Sequence, residues 1–287
     1  MISWRAIVAV AKKEYLDSVR NKWIIAVTAI YLVLTLAFSY FGAASSGQGV
    51  GFQGFNRTVV FMGSTAGLLV PILSLMVGYA SIAGEREQGS LGLLLSMPLT
   101  RLELVLGKYA GLALVVATAI VAGLGIAGLV IASTAGAELW DAYLGLMGAT
   151  VLLGLAFLAM SLFFSSLVQK RSSALGLAVF LWFFFTIIWN IILIGVVVAT
   201  GGNLRIPPGG GGGSLELPGW YWGAQLFNPG QAYSLYMQRA FASAQTFGFG
   251  LGAIPDYASA GAAAASLLLW AVIPIVLAYL RLRRSDI

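Results

Sequence analysis

The sequence predicts an all-α integral membrane protein: six transmembrane helices preceded by an amphipathic interfacial helix. Three observations carry that reading. The 287 residues are 60% hydrophobic and only 9% charged, with mean hydropathy +0.93, whereas soluble domains run near ~25% charged. Uncharged apolar runs long enough to cross a bilayer recur along the chain. The basic residues also sort between the loops: of the 16 Lys and Arg, all but Arg57, Arg205 and Arg239 fall on the side that six spans assign to both termini. The positive-inside rule makes that side the cytoplasm of a cell-membrane protein.

The elements follow in order. In residues 3–22, Ile7, Ala11, Tyr15 and Val19 recur at spacing four, joined by Val8 and Leu16, with Lys12, Lys13, Asp17 and Arg20 between them. That is an amphipathic helix by period, suited to lie in the interface with its lysines toward lipid headgroups; the alternative is a packed helix of a soluble tail. Residues 23–41 form the first span, about 28 Å as a helix. The rival is a signal peptide, with Ala43, Ala44 and Ser45 as small residues, but the apolar run is too long and the charged segment before it too extended. Residues 42–58 are a Gly, Ser and Gln-rich outer loop. Its Asn56-Arg57-Thr58 matches a glycosylation sequon, a motif so short that chance explains it.

Residues 59–83 form the second span, where Gly63 and Gly67 permit close helix approach and Pro71 invites a kink. After a charged loop at 84–108, the third span occupies 109–132. Gly107 and Gly111 offer a second small-residue pair at its start. Gly123, Gly125 and Gly128 spell G-x-G-x-x-G, but no strand precedes them and no βαβ unit surrounds them, so packing explains them better than a dinucleotide does. The fourth span is 142–167, followed by a basic turn at Lys170 and Arg171. The fifth, 174–200, is rich in aromatics. Residues 201–257 form an extracytoplasmic segment with Pro207, Pro208 and the linker-like run Gly209 to Gly213. It continues to interface-seeking Trp220, Tyr221 and Trp222 and a short helix over 231–244. The sixth span, 258–280, contains Pro274 and closes on Arg281, Arg283 and Arg284.

The loop 84–108 reads GEREQGSLGLLLSMPLTRLELVLGK and holds Glu85, Arg86, Glu87, Arg101, Glu103 and Lys108. Such a cluster cannot sit in hydrocarbon. Leu91, Leu93, Leu94 and Leu95, closed by Pro98, predict a short helix with one apolar side. The order E-R-E-x-G-[ST]-L, then leucines, a proline, a basic residue and Gly-Lys, is similar to the cytoplasmic loop of type-2 ABC exporter permeases. The resemblance implies a cytoplasmic coupling helix that docks on a separate ATPase through Glu85, Arg86, Glu87, Gly89, Leu91, Leu94, Leu95, Pro98 and Arg101. On that docking reading, Glu85→Lys with Glu87→Lys is expected to uncouple hydrolysis without unfolding the membrane part. The resemblance also implies a second permease copy, most simply a homodimer. Gly63 and Gly67, or Gly107 and Gly111, would then serve either the dimer contact or packing within one chain. Leu226-Phe227-Asn228-Pro229 is similar to the NosY-like branch of the family, some members of which serve maturation of the copper enzyme nitrous-oxide reductase.

Absences bound the chemistry. With no Cys and no His, disulfides, thiolate metal sites and Ser-His-Asp catalysis are excluded, and a copper path lined by this chain is disfavoured. The net charge of +6 concerns membrane lipid and topology, not nucleic acid. No span as drawn carries an ionisable residue with which to bind a driving ion. No G-x-x-x-x-G-K-[ST] is present. The chain is therefore expected to hold no cofactor and to be no enzyme, with ATP and Mg bound by the partner ATPase. The alternative function is a membrane scaffold or assembly factor that anchors a peripheral partner, with 201–257 as the place to hold one outside the cell, and moves nothing.

Overall fold

The computed structural model describes residues 3–20, 28–34, 36–37, 55–90, 92, 99–135, 140–200, 217–241 and 254–284. Every regular element among them is helical: α1 Trp4–Arg20, α2 28–34, α3 Phe55–Gly78, α4 Ala83–Glu87, α5 Arg101–Ala135, α6 Trp140–Leu167, α7 Arg171–Ala199, α8 Gly219–Leu226, α9 Pro229–Ala240 and α10 Ala260–Arg284. Five stretches among the described residues are long and apolar enough to cross a membrane: Val59–Glu87, Arg101–Val130, Trp140–Leu167, Arg171–Ala199 and Ala260–Arg284. The expected first span, 23–41, is helical at 28–34 and 36–37; its remaining residues lie outside the described ones, as do the glycine run 209–213 and residues 242–253.

The core is built on α6, whose most apolar stretch is 67% buried, against 22% for α7. Helix α6 packs against α10, α3 and α5. Small buried residues make the close approach possible: Ala149, Gly154, Ala156 and Ala159 on α6, and Ala263, Ala271 and Ala278 on α10. Such residues let helix backbones approach in lipid, where no hydrophobic force draws helices together. A methyl on Gly154 would stand 2.8 Å from Val116 Cγ1.

Two boundaries differ from the sequence reading for reasons of capping. Helix α5 begins at Arg101, so the last charged residues of the expected loop form the opening turns of a span. Thr100 and Glu103 set that start as a capping box: Thr100 Oγ1 accepts from Glu103 N at 3.3 Å, and Glu103 Oε2 accepts from Thr100 N at 2.7 Å. Helix α9 begins at Pro229, not at Gln231. Asn228 Oδ1 accepts from Gly230 N at 2.9 Å and Gln231 N at 3.3 Å, and proline at the first helical position gives up no needed donor. Asn56, Arg57 and Thr58 lie in the first turns of α3. Gly123 and Gly128 lie inside α5, filled against Tyr31 and Tyr143.

At one end of the bundle α8 and α9 form a helical hairpin, where Trp222, Leu235, Ala258 and Ala263 make a small second core. Helix α7 contains a π turn at Phe184–Ile188. A π turn leaves a carbonyl without its helical donor, and here Asn228 Nδ2 donates to Phe185 O at 2.7 Å. Arg239 holds the following connection through the carbonyls of Ala258, Ile254 and Pro255.

Candidate functional site

At the other end of the bundle, α4 is a one-turn helix between α3 and the leucine-rich stretch. Its two leading amides, Ile82 N and Ala83 N, donate to Ser165 Oγ of α6 at 3.1 and 2.9 Å. Its end is set by Gly89 at φ +72°, a left-handed conformation that glycine adopts without a Cβ penalty. Gly89 N donates to Arg86 O there, at 3.1 Å.

The three charged residues of α4 each reach a different element. Arg86 Nη1 donates to Ser166 O and Val168 O, at 3.2 and 3.0 Å, where α6 ends and its carbonyls lack helical partners. Glu87 Oε2 accepts from Arg171 N at 2.9 Å and places a negative charge at the α7 N-terminus, the favourable end of the helix dipole. Glu85 Oε1 accepts from Lys108 Nζ at 2.7 Å.

Lys108 is the centre of the site. Its side chain is 1% exposed, and its ammonium also donates to Glu14 Oε1 of α1 at 2.8 Å. Lys13 stands 3.7 Å from Glu14 and 3.8 Å from Glu85. A buried ammonium persists only when paired and hydrogen-bonded, and two carboxylates from two other helices supply that here. Glu85 Oε2 is buried and, among the described residues, has no donor.

The start of α5 closes the network. Glu103 is buried and its Oε1 accepts from Ser3 N at 2.5 Å, joining the beginning of α1 to the beginning of α5. Arg101 donates to the carbonyls of Leu282 and, at 2.9 Å, Arg283, at the end of α10. One patch of polar groups thus ties α4 to α1, α5, α6 and α7, and α5 to α10.

The predicted site residues divide as follows. Glu85, Arg86 and Glu87 all have partners within the chain, Gly89 ends α4, and Arg101 reaches α10. Leu91, Leu94, Leu95 and Pro98 lie outside the described residues. Gly63 and Gly67 face Met237 and Tyr233 of α9, while Gly107 and Gly111 face α1. All four therefore serve close packing inside the chain. A methyl on Gly107 would stand 2.6 Å from Val10 Cβ and 3.0 Å from Ile7 O; one on Gly111 would stand 2.5 Å from Ala11 O. The sequence reading did not pick Glu14, Thr100, Glu103, Lys108 or Ser165 as site residues. The T-x-x-E spacing of Thr100 and Glu103 was a readable signal; nothing local pairs Lys108 with a residue of α1.

A second feature sits near α9. A cavity of about 390 Å³ opens between α3, α7 and α9, with Ser64, Thr186, Gln231, Ser234 and Gln238 as uncharged polar groups beside Phe157 and Phe185. Beneath it Tyr233 and Thr150 share a hydrogen bond of 3.0 Å, and Tyr233 also donates to Gly63 O at 3.2 Å.

Several apolar spans around a small-residue core, with one end stitched by ions and caps, define a multi-pass membrane protein. The family model described as ABC-2 family transporter protein matches residues 8–287, and the chain belongs to that family. It is 36% identical over 282 residues to a "Probable ABC transporter permease protein NosY" of Pseudomonas aeruginosa, covering 97% of this chain and 98% of that one. It is 34% identical over 284 residues to the protein of the same description in Stutzerimonas stutzeri, covering 96% and 97%.

Proposed function

We propose that this chain is the membrane subunit of an exporter whose energy comes from a separate cytoplasmic ABC ATPase. In this reading it has six spans, with 23–41 as the first, and both termini lie in the cytoplasm beside α4. The stretch from α4 to Pro98 meets the ATPase, its leucines supplying apolar burial. Glu85, Arg86 and Glu87 pass the displacement on to the spans through their partners in the chain.

The observation that carries the proposal is the Lys108 node. The one-turn helix that ends the Val59–Glu87 stretch is fixed to α1 and α5 through one buried ammonium, to α6 through Arg86, and to α7 through Glu87. Motion imposed on α4 has no slack before it reaches four other helices. ATP shifts the bundle only by its differential affinity for the two states of the complex, and a rigid connection lets that difference act on the membrane part.

A second copy is expected to pack on α7. Its exposed face carries Leu175, Val179, Phe183, Ile187, Ile191 and Ile194, and it is the least covered of the five spans. Resemblance to the NosY-like branch supports service in the maturation of a copper enzyme such as nitrous-oxide reductase, with the metal carried by other proteins.

The test is a purified complex with the cognate ATPase, spin-labelled at Gly92 and at Gly219, with distances between symmetry-related labels taken with and without trapped ATP. The proposal expects both distances to change. Unchanged distances would overturn the transmission role and favour the scaffold.

A further inference from the structure

The π turn in α7 holds one residue more than α geometry uses, and its hydrogen bonds show which carbonyl that leaves over. Trp189 N donates to Phe184 O, five residues back, so Phe185 O loses the donor that an α turn would give it. Asn228 Nδ2 takes that place at 2.7 Å. Two more bonds hold the same point: Asn190 Nδ2 donates to Thr186 O at 2.9 Å, and Gln231 Nε2 donates to Asn190 Oδ1 at 2.9 Å. Asn228 and Gln231 belong to the α8–α9 hairpin, so the turn is held from outside its own helix.

Beyond the turn, residues 191–199 read IILIGVVVA, without a polar side chain. One row, Leu193 and Val197, is buried, while Ile192, Ile194, Val196 and Val198 are exposed. Returning the turn to α geometry adds one residue's rotation and rise to this half of the helix, about 100° and about 1.5 Å. Each residue then stands where the next one stood: Ile192 in the place of Leu193, and Val196 in that of Val197. One aliphatic row replaces another of similar volume, so packing distinguishes the two positions only weakly. Little obstructs the rotation, because α7 is the least covered of the five spans. Trp189 moves to the place of Asn190 and gives up its ring contacts with Phe184 and Phe185. Its indole Nε1 is now buried with no hydrogen-bond partner among the described residues; in the new position it meets Gln231. The cavity of about 390 Å³ lined by Thr186 and Gln231 leaves room for the ring.

We infer that the second half of α7, residues 189–199, is a two-position element latched by α9. With Asn228 and Gln231 engaged the turn is π. When the α8–α9 hairpin draws away, Phe185 O loses its side-chain donor and regains Trp189 N, because a buried carbonyl needs a partner. The turn becomes α, and residues 189–199 advance by one position. Movement of the hairpin is thereby converted into rotation of a membrane span. The inference needs only the contacts between α7 and α9, and it stands apart from the transport reading.

The chain has no native cysteine, so single cysteines replacing Ile192, Ile194, Val196 and Val198 carry spin labels in the full chain in lipid nanodiscs, and label mobility is read by electron paramagnetic resonance. Asn228→Ser keeps a cap acceptor but has no amide to give to Phe185 O. In that variant the labels at Ile192 and Val196 should become restricted. Those at Ile194 and Val198 move to the exposed places of Gly195 and Ala199 and should not. Unchanged mobility at Ile192 and Val196, or an equal change at all four positions, would overturn the proposal. Deletion of Ile187, an exposed residue of the turn, tests the same point without touching the cap. It removes the extra residue, so the turn should become α with Leu193 and Val197 still the buried row. Asn228→Ser added to the deletion should then leave Ile192 and Val196 mobile. Restriction of those two in the deleted chain would overturn the proposal. So would restriction at Ile194 and Val198 on deletion alone, since the π turn would then have re-formed and drawn the next row in.

Discussion

Replacing Lys108 by methionine removes the cation that hydrogen-bonds both Glu14 and Glu85, and leaves two carboxylates beside each other at the meeting of three helices. Breaking a buried ion pair by deleting one partner costs about 3–5 kcal/mol. Here the two glutamates keep 14% and 16% exposure and have Lys13 at 3.7 and 3.8 Å, so water and that lysine offset part of the loss. The expected cost is about 3 kcal/mol, the low end of that range. Glu85→Gln leaves Lys108 paired with Glu14 and should cost about 1–2 kcal/mol. The double variant should lose at least about 1 kcal/mol less than the sum of the singles, because the methionine then faces one carboxylate and a neutral amide. The assay is reversible unfolding of the purified chain in mixed micelles, with the four proteins compared as a cycle. A loss below about 1 kcal/mol for Lys108→Met, or additivity within about 0.5 kcal/mol, would refute the reasoning. The same geometry revises the expectation for Glu85→Lys. That change sets a third cation against Lys108 and Lys13, so it should destabilise the membrane part as well as uncouple it.

Asn228→Ala removes two cap bonds and the donor to Phe185 O, and should cost about 2–3 kcal/mol in the same assay; Asn228→Asp, which keeps the cap, should recover part of it. Gly111→Leu drives a side chain into the backbone of α1 at Ala11 and should release α1, read as faster proteolysis within 4–20 and faster amide exchange there. Phe180→Cys or Ile187→Cys on α7 should cross-link two copies in the membrane. Absence of any cross-link along that face, with the ATPase present, would count against pairing through α7.

Much of the fold was legible in the sequence because membrane spans announce themselves by unbroken apolar length, as at 142–167. The α8–α9 hairpin was partly legible too, since Asn228-Pro229 is a cap followed by a first-turn proline. Boundaries set by side-chain capping were harder. Arg101 to Lys108 read as loop because charge dominates a hydropathy scan, yet Thr100 and Glu103 start a helix there, and Lys108 is carried in buried because Glu14 and Glu85 neutralise it. That pairing joins residues 94 and 23 positions apart, which no periodicity reports. The charged triplet was legible as special but not in its geometry. Its types suit an exposed docking face and a buried tie equally well, and only the positions of Ser166, Val168 and Arg171 decide which contacts form.

The most direct measurement of the central claim places a photoreactive amino acid at Gly92, an exposed position just beyond α4 with open space around it, and another at Tyr257, exposed on the connection into α10. Membranes containing the chain and its cognate ATPase are irradiated with and without nucleotide. The account predicts an adduct with the ATPase from Gly92, changed in yield by nucleotide, and none from Tyr257. An adduct from Tyr257 with none from Gly92 would contradict it.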